Sequence, residues 1–246
     1  MRLDLFLVER GLAKTRSQAS DLIRRQLVLV DGEIAGKTGV EITTQQVELI
    51  AESKYVSRAG EKLAQALIDF NIDLRDKIAI DIGSSTGGFT DCAIQHGIRF
   101  VYAYDVGSHQ MDERLKKSPL IELHEETNIL SVKLPVSDII FIDVSFTSIK
   151  PILKHIEGFK GEMVCLIKPQ FEAGPQYLKQ GILKNPKRTK EVLEDVLSYA
   201  RSLGFSIAAL KSSHLKGKSG NQEYILYIKE PDKHQNLSVL IGEALC

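Results

Sequence analysis

The stretch KIAIDIGSSTGGFTDCAIQHG, residues 77–97, decides the fold. A short apolar run leads into a glycine-rich turn and then into a helical pattern. Such a strand–turn–helix unit opens α/β sheets whose ligands sit at the carboxyl ends of the strands. A dinucleotide-binding turn spaces its glycines as GxGxxG, so that a pyrophosphate can rest on the helix N-terminus. Here Asp81 and Gly83 are followed by three residues and then by Gly87-Gly88. That spacing disfavours NAD. Glycine in such a turn also meets a purely conformational need for positive φ, so the ligand has to be read from the rest of the chain.

Outward from this unit, apolar runs recur at FVYAYDV, LIELHE, SDIIFIDV, EMVCLIK and FSIAALKS, separated by turn signals and helical stretches. The alternation predicts a mainly parallel sheet with helices on both faces. The last run, EYILYIKE, follows too closely on its predecessor to leave room for a crossover helix and is expected to be antiparallel. KGKSG, residues 216–220, imitates the end of a P-loop. Ser212 stands where the first glycine would be, and the segment leads into a strand, which speaks against ATP hydrolysis.

Several strand ends carry polar residues. Asp105 closes YAYDVG, where a carboxylate can accept two ribose hydroxyls, and Asn128 follows the third strand, where an adenine edge would lie. Both also read as strand-end turn residues. Asp143 ends FIDV, Lys168 follows MVCLI directly, and Glu223 begins the last strand. In an antiparallel last strand the start shares the sheet edge of the other strands' carboxyl ends, so these three are expected to converge. A lysine set hard against an apolar run either snorkels to water or serves a partner. Lys62, in the helical SRAGEKL, is a fourth candidate; the plain alternative is that these groups form salt bridges and nothing more.

The first sixty residues have another character. Apolar residues recur at helical steps from Leu3 to Leu7 and from Ser17 to Ile23, with Gly11 between them and Thr15 or Ser17 available as a cap. Asp31-Gly32 between two alternating segments predicts a hairpin, and QQVELI a further strand. Arg10, Lys14, Arg16, Arg24 and Arg25 surround the second helix with one acid, Asp21. They suit phosphate oxygens, or simply form a wet helix face. Small and polar residues from Ala51 to Lys54 read as a linker, placing a domain at 1–54, a second at 55–232 and a tail at 233–246.

The chain of 246 residues balances 32 basic against 32 acidic residues, so any nucleic-acid contact must come from a local patch. Its three cysteines are scattered and lack metal-ligand spacing, which fits a reduced cytoplasm and no metal site. No apolar run approaches the roughly 20 residues that span a bilayer, and no membrane partner is expected.

Four resemblances add to this reading. RLDLFLVERGLAKTRSQASDLIRRQLVLVDGEIAGKTGVEI closely resembles the S-four RNA-binding domain, which implies that Arg16, Ser17, Gln18, Arg24 and Arg25 face RNA. The DxGxxxGG turn resembles that of S-adenosylmethionine-dependent methyltransferases. That implies a Rossmann-like methyltransferase sheet behind a small α+β domain, with cofactor contacts from Asp81, Gly83, Ser84, Ser85, Gly87, Gly88, Asp105, Asn128 and Asp143. SRAGEKL, DIGSSTGGFTD, DVSF, IKPQFE and GNQEY together resemble the FtsJ-like 2′-O-ribose methyltransferases, whose Lys-Asp-Lys-Glu tetrad maps to Lys62, Asp143, Lys168 and Glu223. With the front module, residues 1–230 resemble the TlyA family. This implies S-adenosylmethionine as cofactor, ribosomal RNA or ribosomal subunits as partner, and a cytidine 2′-hydroxyl as acceptor, with Lys168 taking or guiding its proton. Two other classes stay open: an RNA-binding assembly factor without methyl transfer, and the membrane-active haemolysin of the family's older label. Tyr55 stands where better-studied members carry tryptophan, at the linker's end. Lys187, Arg188 and Lys190 either extend an RNA track or coat a helix start.

Overall fold

The computed structural model describes residues 1–13, 15–24, 26–50, 54–217, 219–230 and 236–246. The chain divides into two compact units, Met1–Lys54 and Tyr55–Cys246. Lys14, Arg25, most of the expected linker, Lys218 and the start of the expected tail lie outside the described residues.

In the first unit, helices α1 (Leu3–Glu9) and α2 (Arg16–Arg24) precede strands β1 (Val28–Val30), β2 (Glu33–Ile34) and β3 (Val47–Leu49). The strands form one antiparallel sheet in the order β2-β1-β3. Thr15, rather than Ser17, caps α2, its Oγ1 accepting from Gln18 N at 3.1 Å. Asp31 and Gly32 both take positive φ, 51° and 81°, as the two-residue hairpin between Val30 and Glu33 requires. Leu3, Leu7, Leu22, Ile23 and Val28 form the core.

The second unit is built on seven strands in the order β6-β5-β4-β7-β8-β10-β9. They are β4 (Ile78–Ile82), β5 (Phe100–Tyr104), β6 (Ile121–His124), β7 (Ile139–Ile142), β8 (Glu162–Ile167), β9 (Ile207–Ser212) and β10 (Tyr224–Ile228). All neighbouring pairs from β6 to β8 are parallel, while β10 runs antiparallel to both β8 and β9. Helices α3 (Arg58–Asp69), α4 (Gly88–Gln95), α5 (Glu113–Lys116), α6 (Lys150–His155), α7 (Pro169–Glu172), α8 (Pro186–Ser202) and α9 (Leu237–Leu245) fill the connections and the chain end.

The central strands are buried on both faces, which is why IIFI and MVCLI are continuous apolar runs. Residues of α3 and α4 build the core on one face, and those of α6, α8 and α9 build it on the other. Strand order reverses between β4 and β7, since β5 and β6 lie to one side of β4 and the later strands to the other. That switch point opens a crevice at the carboxyl ends of the strands.

Two expectations change here. The tail is not separate, because Leu240, Ile241 and Ala244 of α9 are buried in the second unit's core. Tyr55, expected at the end of a linker, is buried at 2% exposure among Leu63, Phe89 and Cys92 in the opposite core.

Candidate active site

The turn after β4 is shaped by close backbone approaches. Gly83 has φ +85°, and a Cβ there would stand 2.8 Å from the Asp143 carbonyl oxygen at the end of β7. Any side chain would therefore both strain the turn and push apart the two strands that flank the switch point. Gly88 and Gly60 let α4 and α3 meet: a Cβ on Gly88 would lie 3.0 Å from Gly60 N, and one on Gly60 2.8 Å from Gly88 O.

Four of the turn's amides are engaged within the protein. Gly83 N and Ser84 N donate to Tyr104 O, Ser85 N to Asp105 Oδ2 and Gly87 N to Ser84 O, all between 2.7 and 3.1 Å. Asp81 is fully buried; Thr90 Oγ1 donates to its Oδ2 at 2.6 Å, and Oδ1 has no hydrogen-bond partner among the described residues. Burial pushes this carboxyl up to about 7; the Thr90 hydrogen bond opposes the shift, and the nearby Asp143 carboxylate adds to it. Ser84 Oγ is likewise buried without a partner.

A cleft of about 590 Å³ runs from Gly83 and Ser85 past Asp105 and Asn128 to Asp143. Val106, Ile129, Leu130, Val144 and Phe146 give it apolar walls. A smaller cavity of about 140 Å³ continues inward, lined by Asp81, Ser84, Gly88, Asp143, Ser145 and Lys168. Asp105 accepts one backbone hydrogen bond on each carboxylate oxygen, from Ser85 N at 2.8 Å and Gly107 N at 2.7 Å. Oδ1 also receives a long hydrogen bond from Gln110 Nε2 at 3.5 Å, which a ribose hydroxyl can displace, and Oδ2 keeps a second lone pair for another hydroxyl. Asn128 lends its side-chain oxygen to Leu130 N at 3.0 Å, as a cap, so its turn-forming role is present along with its place in the cleft wall.

The four tetrad candidates form two buried ion pairs. Lys62 Nζ donates to Glu223 Oε2 at 2.5 Å, and Lys168 Nζ lies 2.6 Å from Asp143 Oδ1. Lys168 also donates to Ser145 Oγ at 3.0 Å. All four are placed by rigid elements: Lys62 by the buried face of α3, Asp143 and Lys168 by the ends of β7 and β8, and Glu223 by the start of β10. Burying two such pairs is costly unless they serve a purpose beyond stability.

Thr90, Ser145 and the apolar cleft walls were not read from the sequence. Ser145 carried the one available signal, a hydroxyl two residues beyond Asp143 in DVSF. Phe146 is 91% exposed with φ +64°, 5.2 Å from the Phe171 ring, a loop conformation no local pattern announces.

In the first unit Ser17 and Arg24 are exposed and Gln18 is half-buried. Arg16 is not simply an RNA-facing fork: its Nε donates to buried Asp4 at 2.8 Å, beside Arg2 on the same carboxylate. Arg25 lies outside the described residues. On α8, Arg188 bonds Glu191 and the Ala173 carbonyl and stacks over Tyr177, and Lys190 lies 3.8 Å from Glu194, so both are tied within the protein.

The model of the FtsJ-like methyltransferase matches residues 55–230, and that of the S4 domain matches residues 1–47. The chain belongs to the FtsJ-like methyltransferase family. The 16S/23S rRNA (cytidine-2′-O)-methyltransferase TlyA of Mycobacterium tuberculosis is 35% identical, covering 93% of this chain and 89% of that one. Hemolysin A of Brachyspira hyodysenteriae is 37% identical, with 92% and 99% covered. A solved structure named as a hemolysin from Streptococcus thermophilus superposes with a TM-score of 0.77 at 35% identity, covering 99% of this chain and 95% of the other. No helix among the described residues is long and apolar enough to cross a membrane.

Proposed function

We propose that this chain is an S-adenosylmethionine-dependent 2′-O-ribose methyltransferase that acts in the cytoplasm on ribosomal RNA, with a cytidine as the nucleoside. The observation that carries the reading is the Lys168–Asp143 pair in the cavity beside the glycine turn, with the Lys62–Glu223 pair next to Lys168 in strand register, since Tyr224 stands across from Ile167. The residues fit the cofactor. Asp105 has lone pairs for two ribose hydroxyls, and Asn128 with the apolar walls suits a flat adenine. The partnerless oxygens of Asp81 and Ser84 suit the polar, cationic aminoacyl end. Bound there, S-adenosylmethionine supplies an electrophilic methyl group on a sulfonium.

A ribose hydroxyl is a weak nucleophile at neutral pH and needs a group that handles its proton or favours the alkoxide. Lys168 is that group, fixed by Asp143 on one side and Ser145 on the other so that its Nζ faces the cavity wall shared with Asp81. Lys62 and Glu223 orient the acceptor side. Rigid placement of both partners supplies much of the rate, because methyl transfer is an in-line displacement that depends on near-attack geometry. Exposed residues of the first unit, Ser17 and Arg24 among them, hold the RNA through its backbone.

The test is calorimetric titration of S-adenosylmethionine into the purified protein, followed by tritiated methyl transfer to purified ribosomal subunits. Binding with transfer, blocked by a 2′-deoxy acceptor, supports the reading; absence of binding overturns the assignment of residues 81–88.

A further inference from the structure

Two loops at the tetrad's edge of the sheet carry lysines and no acids. Between Glu172 and Glu191 the chain has no acidic residue, and none occurs from Val196 to Gln222. The buried side chain of Asn221 clasps the two loops together: its Oδ1 accepts from Leu183 N and its Nδ2 donates to Gly181 O, both at 2.9 Å.

Both loops are held by hydrogen bonds and adjoin the site. Residues 179–182 form a tight turn, with Lys179 bridged to Ile182 and with Gln180 and Gly181 at φ 52° and 76°. Gly217 lies against the tetrad, since a Cβ there would stand 2.4 Å from Glu223 Oε1, and Ser213 N donates to Glu223 O at 2.8 Å. Lys179, Lys184, Lys187 and Lys216 are exposed, and none has an acidic partner among the described residues. Other cations nearby are consumed: Arg188 and Lys190 as above, and Lys211 on Asp69 at 3.3 Å. These four ammonium groups, on two loops joined by Asn221 two residues before Glu223, form a local positive field in a chain of zero net charge.

We propose that the Asn221-clasped loops are a phosphate-binding rim, in which Lys179, Lys184, Lys187 and Lys216 hold the RNA strand that flanks the acceptor nucleotide at Glu223. The inference rests on the RNA reading above and adds a second RNA-contacting surface, on the methyltransferase unit itself. The rim fits RNA phosphates because its charges are all of one sign and its two loops are joined through Asn221. A strand threaded there would enter beside the buried pairs.

The experiment compares the full chain with its Lys179→Gln/Lys184→Gln/Lys216→Gln variant. Binding to ribosomal RNA extracted from purified subunits is measured across salt concentrations, alongside kcat, KM for RNA and affinity for S-adenosylmethionine. Each lost phosphate contact removes about 0.7–0.9 from the slope of log affinity against log salt. The triple variant should therefore lose about 2 from that slope and raise KM about tenfold or more at moderate salt, with kcat at saturating RNA and cofactor affinity unchanged. Lys160→Gln, at the opposite sheet edge where Lys160 pairs with Glu230, should change none of these. An unaltered slope in an active triple variant overturns the rim and leaves the enzyme reading standing. A lowered slope in a protein that transfers no methyl keeps the rim and removes the enzyme reading. Failure of the unmodified chain to bind RNA overturns both.

Discussion

Asp4 in the first unit and Asp81 in the second are the buried aspartates among the described residues, and the two are treated in opposite ways. Asp4 is satisfied from within: Arg2 and Arg16 both donate to it, and the Arg2 hydrogen bond leads in holding its carboxyl down at about 2. Asp81 receives one hydroxyl, keeps an oxygen without a partner, and is pushed up to about 7 by its burial. Both side chains are almost wholly inaccessible, so burial alone does not distinguish architecture from chemistry. What does is the unused hydrogen-bonding capacity and where it points. Asp4 faces its own arginines, whereas Asp81 lines the cavity that Asp143 and Lys168 share.

The sharpest way to break this contrast is at Lys168. Lys168→Ala should lower methyl transfer to ribosomal RNA by about a thousandfold or more, in line with the loss of a proton-handling group, while calorimetry shows cofactor affinity little changed. Full activity in this variant would remove the assignment. Next is the other pair. Lys62→Met or Glu223→Leu alone leaves a buried charge without its partner and should cost about 3–5 kcal/mol in denaturant unfolding of the second unit. The double variant should recover most of that stability and none of the activity. A double variant no more stable than the singles would show that the pair is architectural, like Asp4.

Asp81 yields a prediction whose sign follows from its shift. In the unfolded chain an aspartate titrates near 3.8, and in the fold near 7, so between these values the native state holds the extra proton. Stability of the cofactor-free protein therefore falls as pH rises from about 4 to about 7, by a few kcal/mol at most. Asp81→Asn should gain on the unmodified chain between pH 5 and pH 8 in thermal unfolding, and should lose cofactor affinity. Asp4 has the opposite sign. Its contribution is complete above the ordinary carboxylate range and is lost as pH falls through about 2. Asp4→Asn should destabilise the first unit by about 1–3 kcal/mol at pH 7, with the difference from the unmodified chain vanishing in strong acid. The smallest expected effect belongs to Arg24→Gln, which should lower RNA affinity by severalfold and the salt slope by about 0.7–0.9, leaving both unfolding curves in place.

Legibility in the sequence followed the range of the interaction. Strands buried on both faces announce themselves as apolar runs, so the seven-stranded order of elements and the antiparallel last strand could be read, as could the Asp31-Gly32 turn. That Asp143, Lys168 and Glu223 share a sheet edge was readable because parallel strand ends and the start of an antiparallel strand lie together, whereas the place of Lys62, on a helix, beside them was reached only through the resemblance. Contacts between distant segments were not. Nothing local in Arg16 shows that its charge is taken by Asp4, twelve residues away, and nothing in the turn shows that its amides are spent on Tyr104 and Asp105. Tyr55 reads as the end of a polar stretch because its packing partners lie on α3 and α4. Helix α9 has apolar residues at helical spacing, yet is short and contains Gly242, so its attachment to the sheet is visible only in three dimensions.

The glycine-to-glycine joint between α3 and α4 has a mechanical consequence. Lys62 lies two residues along α3 from Gly60, and Gly88 begins the helix that leaves the glycine-rich turn. With each glycine's backbone this near the other, and with Tyr55, Ser57 and Ala59 filling the space beside them, the two helices have little room to shift against each other. A substitution as small as Gly60→Ala would press on the Tyr55 side chain and the Gly88 carbonyl together, and so act as a shim between the helix that carries Lys62 and the helix that leaves the glycine-rich turn.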